Sequence, residues 1–174
     1  SKILGVWEPL ITKDDQNRPA PCLAESWQML DGGKEWIFHL RRDVYFHNGT
    51  KFTADSVIEN FRRMEKGYKR SSFYGLDINV YYPSLLSYEK IDDYTFRLLF
   101  REPNVNELYK MTDFGSPMFA PECFDEDGNF KEIAIGTGPY KIKENVLNKY
   151  VKIVRNENYY GSKGKISEFI IRTI

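Results

Sequence analysis

Cysteine and histidine are scarce in this chain of 174 residues, which has two of each. Cys22 and Cys123 are too few for a disulfide framework, so they are interpreted as isolated core or surface thiols. One disulfide that closes a long loop in an oxidising compartment stays open as an alternative. His39 lies within a predicted strand and is expected to be structural, whereas His47 precedes a turn and is expected to be solvated. Neither has a carboxylate or cysteine at ligand spacing, so no metal site is expected within these residues.

The sequence also lacks a long apolar run and an excess of charge of either sign. No stretch approaches the length of a transmembrane helix. Twenty-five basic residues balance twenty-five acidic ones, which gives no electrostatic reason to expect nucleic acid or an anionic membrane as a partner.

Common catalytic motifs are missing as well. The chain has no Gly-x-Ser-x-Gly elbow and no glycine-rich phosphate loop followed by Lys and Ser or Thr. Gly136-Thr137-Gly138 lacks the third glycine of a dinucleotide fingerprint and precedes a predicted strand. We interpret it as a backbone turn that requires positive φ. These absences favour a binding module over an enzyme.

Apolar residues make up 41% of the chain, enough for a core, and their periodicity predicts hairpins and separate helices. Trp36, Phe38 and Leu40 alternate along a strand with one buried face. A hairpin is expected to turn at Asp92-Asp93, a second to pair residues 140–142 with 149–155, and a last strand to begin at Phe169. The mixture predicts an α+β fold in which a mixed sheet with hairpins is flanked by helices.

The longest predicted helix begins after Thr53, its N-cap. Its apolar face is expected to carry Val57, Phe61 and Met64. Three basic residues near its end are attributed to the helix dipole. They are Arg62, Arg63 and Lys66. The following residues, 68–84, are rich in tyrosine and show no clear period, which is typical of a loop that binds a ligand. An exposed aromatic binding face is therefore expected from Tyr68 to Tyr82.

Several motifs, taken in order along the chain, resemble the family 5 extracytoplasmic solute-binding proteins, the peptide- and nickel-binding group. They are LAESW (23–27), WIFHLRRDVYFHNGTKFTADSV (36–57), IDDYT (91–95), GTGPY (136–140) and VRNENYYG (154–161). The resemblance implies a two-lobed periplasmic-binding-protein-like (class II) fold, with residues 1–174 as part of the N-terminal lobe and the second lobe outside this sequence.

The same resemblance implies the substrate-binding component of an ABC importer, and not an enzyme. Its expected partners are a small-molecule ligand and the permease. Its expected location is extracytoplasmic, in the periplasm or at the cell surface as a lipoprotein, with contact to the membrane only through a lipid anchor outside these residues.

Two stretches resemble the nickel-binding branch more closely than the peptide branch, namely VWEPL (6–10) and LNKY (147–150) followed by RNENYY (155–160). The resemblance implies that Arg70 and Phe73 contact a metal chelate, and Tyr74 and Phe114 complete the expected ligand-binding set. A solvated loop charge stays open as the alternative for Arg70. Phe114 stands where the branch has a second arginine. No resident cofactor is expected, a nickel chelate is the expected ligand of the full-length protein, and the branch's histidine ligand belongs to its C-terminal part. The alternatives are an oligopeptide-binding protein of the same fold and, from another class, an enzyme or a structural interaction domain.

Overall fold

A computed structural model describes residues 5–66, 78–112, 116–131 and 133–172. The described strand pairs are antiparallel and are separated along the chain by short helices, which confirms the predicted α+β class. The strands are β1 (Ile11–Lys13), β2 (Pro19–Pro21), β3 (Ala24–Leu30), β4 (Glu35–Leu40), β5 (Leu85–Asp92), β6 (Thr95–Phe100), β7 (Tyr140–Val146), β8 (Tyr150–Arg155) and β9 (Glu168–Arg172). The helices are α1 (Ala54–Glu65), α2 (Ile78–Tyr81) and α3 (Glu107–Met111), and 3-10 turns lie at Asp31–Gly33 and Pro121–Cys123.

The larger sheet has four strands in the order β3-β4-β6-β5. Alternate residues of β4 and β6 point to one face, and this face is buried. Its side chains are Trp36, Phe38, Leu40, Phe96, Leu98 and Phe100. The rings of Phe38 and Phe96 stack with centroids 4.8 Å apart, and burial of each such side chain contributes about 1.5–3 kcal/mol. The strand predicted around Trp36 and the first predicted hairpin are both confirmed.

Helix α1 covers this face and begins where the sequence predicts. Thr53 is its N-cap, and the side chain of Ser56 reaches back to the Thr53 backbone in a capping box. The predicted apolar face of the helix is buried, and the ring of Phe61 lies against that of Phe96 at a centroid distance of 6.1 Å. Helix and sheet therefore share one core.

A three-stranded sheet has the order β7-β8-β9, and β1 and β2 form a separate two-stranded sheet. The three-stranded sheet contains the second predicted hairpin and the strand predicted to begin near Phe169, so both predictions are confirmed. Ile153, at the centre of β8, is fully buried. The chain's first described residues pack beside this sheet and do not belong to the strands of any of the sheets.

Residues 5–9 connect the two halves of the structure. Their backbone pairs with residues 117–118 on one side and forms hydrogen bonds with residues 138–140 on the other. The bonds run from Met118 N–H to Glu8 O (2.9 Å), from Gly138 N–H to Val6 O (3.0 Å) and from Tyr140 N–H to Gly5 O (3.0 Å). A short segment from the start of the chain is thus inserted between two segments that follow it by more than a hundred positions.

The glycines of this junction are required for a reason other than the predicted one. Neither Gly136 nor Gly138 has a positive φ, so the expectation of a positive-φ turn is wrong. A Cβ on Gly136 would lie 2.4 Å from the Val6 carbonyl oxygen, and one on Gly138 would lie 2.2 Å from that of Gly5. Glycine is needed here because two backbones approach too closely for any side chain.

Replacement of Gly138 tests this close approach. The methyl group added by Gly138→Ala would overlap the Gly5 carbonyl oxygen, so the two backbone segments would have to move apart. We therefore expect the variant to lower the free energy of unfolding by at least about 3 kcal/mol in urea denaturation. The control is Gly32→Ala, at a position with φ +63° and no atom within 4 Å of the added carbon, which we expect to cost about 1 kcal/mol. Equal losses for the two variants would contradict the interpretation.

Candidate functional site

The four residues expected to contact a ligand lie outside the described part of the chain. Arg70, Phe73 and Tyr74 fall within residues 67–77, and Phe114 falls within residues 113–115. Their roles stay predictions.

The described residues that follow these two segments are in contact with each other. The Tyr81 hydroxyl donates to the Lys110 carbonyl oxygen at 2.5 Å, and the Ser116 hydroxyl donates to the Tyr81 oxygen at 2.9 Å. Tyr81 lies four positions after the segment 67–77, and Lys110 and Ser116 lie on either side of the segment 113–115, so residues near both segments are in contact. This adjacency is what a site built from both segments requires.

Part of the expected aromatic binding face belongs instead to the core. Tyr82 is 4% exposed, and its ring stacks on that of Phe61 with a centroid distance of 5.6 Å. Tyr81 packs edge-on against Tyr82 at 4.9 Å. The expectation of an exposed aromatic surface up to Tyr82 is wrong at its C-terminal end, because α2 turns these two rings inward.

A buried carboxylate, that of Glu8, lies where residues 5–9 meet the rest of the lobe. It accepts three hydroxyl hydrogen bonds: from Thr137 at 2.8 Å, from Tyr159 at 2.6 Å and from Tyr160 at 3.0 Å. A buried charge requires such partners. Sequence reasoning missed this cluster, and the available signal was an acidic residue inside the apolar stretch 6–10.

The groups around Glu8 are unreactive at neutral pH. Burial, followed by the negative charge of Glu8, raises the pKa of the Cys22 thiol to about 12, so the thiol stays protonated. Burial also raises the pKa values of Tyr159 and Tyr160, and Glu8 adds to both shifts. The cluster therefore joins segments of the fold, and its oxygens are engaged with one another.

His47 is largely buried, so the expectation that it is solvated is wrong. Its backbone N–H donates to Gly136 O at 2.9 Å, and its Nε2 lies 3.0 Å from Gly138 O. Because a carbonyl oxygen only accepts, Nε2 carries the proton. Burial lowers the pKa of His47 to about 4, and the nearby charge of Lys141 acts in the same direction.

A cavity with a volume of about 810 Å³ opens beside His47. Its lining is mainly apolar, from Ile133, Ile135, Ile142 and Val154, and Lys141 stands at its rim. It brings together the loop before α1 and the strands β7 and β8.

Among the described residues, no group of three or more His, Cys, Asp or Glu side chains could hold a metal ion. The two cysteines are free thiols, and Cys123 is buried. No helix in the described part of the chain is long and apolar enough to span a membrane.

Residues 18–174 match the bacterial extracellular solute-binding proteins, family 5 Middle. The chain belongs to this family. The nickel-binding periplasmic protein of Escherichia coli is 34% identical over 97% of this chain and 32% of its own length. The periplasmic oligopeptide-binding protein OppA of Salmonella typhimurium is 29% identical over 89% of this chain and 31% of its own. NikA from Brucella suis, solved with Fe(III)-EDTA, superposes with a TM-score of 0.81 at 26% identity, over 98% of this chain and 34% of that one.

Family membership confirms the resemblance inferred from the motifs, the class of fold and the extracytoplasmic location. The chain spans about a third of the length of the relatives it matches. The family is one of solute-binding proteins, and its relatives here include both a nickel binder and a peptide binder.

Titration of His47 gives a pH test of the junction at which His47 contacts Gly136 and Gly138. The native pKa of about 4 lies below the ordinary value of 6.5, so the unfolded chain takes up the proton first. The contribution of His47 to the free energy of unfolding is complete above pH 6.5. It is lost as the pH drops toward 4, and the loss is on the order of 3 kcal/mol. His47→Gln, whose amide can still donate to Gly138 O, should flatten this slope in urea denaturation between pH 4 and 7. His39→Gln is the matched control, and an unchanged slope in the His47 variant would contradict the prediction.

Proposed function

We propose that this chain is part of the substrate-binding component of an ABC importer, and that the ligand of the complete protein is nickel held by a small chelator. The observation that carries the proposal is the 34% identity to a nickel-binding periplasmic protein over 97% of the chain. The hydrogen-bonded contact between Tyr81 and Ser116 supports it, since these two residues follow closely in sequence the two segments expected to bind.

The chemistry of the expected residues suits a metal chelate. The guanidinium of Arg70 can bind a carboxylate of the chelator through two parallel hydrogen bonds, and the rings of Phe73 and Tyr74 can cover an apolar face of the complex. Phe114 replaces a second arginine, so the site balances less negative charge. We therefore expect a chelator with few carboxylates, such as L-histidine, to bind better than EDTA.

Oligopeptide binding is the second candidate, and the 29% identity to an oligopeptide-binding protein favours it. Peptides are bound largely through their backbone and termini, which places little demand on individual side chains. Native mass spectrometry of protein purified from cells separates the two candidates, because a retained peptide supports the second and retained nickel supports the first. An enzyme would be indicated by hydrolysis of a model peptide that is lost when one residue is replaced.

Calorimetry tests the nickel proposal directly. Protein expressed from the complete gene should give a saturable heat with nickel and L-histidine, and Arg70→Ala should weaken binding by about a hundredfold, because a charge-assisted bidentate contact is lost. Lys69→Ala, which removes the neighbouring positive charge, is the matched control and should bind normally. No heat and no thermal shift with any chelator would overturn the proposal.

The 174-residue chain by itself is expected to bind the same ligand at least about a hundredfold more weakly than the complete gene product. A ligand enclosed between two lobes loses much of its contact surface when one lobe is missing, and the entropy cost of association is unchanged. Parallel titrations of the two proteins check this. Equal affinities would place the whole site within residues 1–174 and contradict the two-lobe mechanism.

A further inference from the structure

Three residues attach the C-terminal end of α1 to residues 119–131. Asn60 and Arg63 are three positions apart and lie on one side of the helix, and Lys66 is its C-cap residue. The Asn60 amide donates to Phe119 O at 2.8 Å and accepts from Phe119 N–H at 3.1 Å. The ammonium of Lys66 donates to the Glu126 carbonyl oxygen at 2.5 Å. We call these three residues and residues 119–131 the helix clamp.

Arg63 is the centre of the helix clamp. It is 6% exposed, and its guanidinium carbon lies over three phenylalanine rings, 5.4 Å from the centroid of Phe119, 5.0 Å from that of Phe124 and 5.5 Å from that of Phe130. These distances are within the range of cation–π attraction, which is stronger when the cation is desolvated. The face of each ring attracts positive charge, so the cage is selective for a cation over an apolar side chain of equal size.

The backbone of the clamp also fits Arg63 closely. Gly128 has φ +81°, and a Cβ built on it would lie 3.1 Å from Cγ of Arg63. The clamp continues into the rest of the lobe, because Ala120 N–H donates to Ile135 O at 2.9 Å. Through these contacts the end of α1 is fixed to the segment that leads to β7.

The position of the helix end bears on the proposed ligand site. Lys66 is the C-cap residue of α1, and Arg70 follows it in sequence by four positions. An error in the direction or register of the helix end is passed to any residue attached to it, and a small misplacement of a bidentate contact is costly. An arginine that served packing alone would affect stability and leave the affinity of the folded protein unchanged.

We propose that Arg63, with its cage of Phe119, Phe124 and Phe130, is a positioning residue for ligand binding. It sets where the end of α1 lies and thereby determines ligand affinity without touching the ligand. This inference rests on the proposed function in placing the ligand-contacting residues directly after α1.

The experiment compares three variants of the protein expressed from the complete gene. Arg63→Met retains the aliphatic stem without the charge, and Arg63→Lys restores a cation above the rings. Arg97→Met is the matched control, because this arginine forms ion pairs with Glu35 and Glu89 on the solvent-facing side of the larger sheet. Affinity for nickel with L-histidine is measured by calorimetry at a temperature where every variant is fully folded, and thermal unfolding is recorded separately.

We expect Arg63→Met to raise Kd by about tenfold or more, Arg63→Lys to recover most of that loss, and Arg97→Met to bind as the wild type does. A wild-type Kd for Arg63→Met, with a lowered Tm, would reduce the cage to a structural role and overturn the inference. If Arg63→Met does not fold, Phe124→Leu removes one ring and is judged by the same criterion.

Titration of the wild-type protein tests the proposed function separately from the variants. If the wild type binds no nickel chelate and carries a peptide, the proposed function is overturned. The variants are then titrated with that peptide. A raised Kd for Arg63→Met that Arg63→Lys restores still supports the inference, and equal Kd values overturn it.

Discussion

The buried carboxylate of Glu8 joins three segments of this chain that are far apart in sequence. A charge removed from water needs hydrogen bonds that replace its lost solvation. Here the donors are the hydroxyl groups of Thr137, Tyr159 and Tyr160. Two of the motifs that identify the family, residues 136–140 and 154–161, therefore converge on one acid from the start of the chain. The close backbone contacts of Gly136 and Gly138 and the buried position of His47 follow from this convergence, since all three lie at the same junction.

Local patterns explain why much of the fold could be predicted. Alternation along β4 and β6, the turn at Asp92-Asp93 and the Thr53 cap each involve residues within a few positions of one another, so the sequence displays them directly. The role of Glu8 could not be predicted in this way, because its partners are 129 or more positions away. The sequence correctly indicates that Gly136 and Gly138 are needed by the backbone, but it does not reveal why. The Gly5 and Val6 carbonyl oxygens that exclude a side chain there are distant in sequence.

The candidate site residues could not be predicted from local patterns. Arg70, Phe73, Tyr74 and Phe114 were predicted from resemblance to a branch of the family, since no periodicity or spacing distinguishes a ligand-binding arginine from a solvated one. Arg63 was attributed to the helix dipole along with its neighbours, yet it is buried among phenylalanines. The sequence did contain a signal, in that three phenylalanines fall within the twelve residues from 119 to 130, but their common partner lies on another element.

The insertion of residues 5–9 between two later segments also constrains the order in which the chain can fold. Their partners lie around residues 117 and 138, more than a hundred positions further along the chain. The larger sheet and α1 can assemble from segments that are closer in sequence, whereas closure of the junction requires a loop of more than a hundred residues, which is entropically costly and slow. The contacts of Glu8 are therefore expected to form late in folding, after the sheet and helix that they join to the later segments.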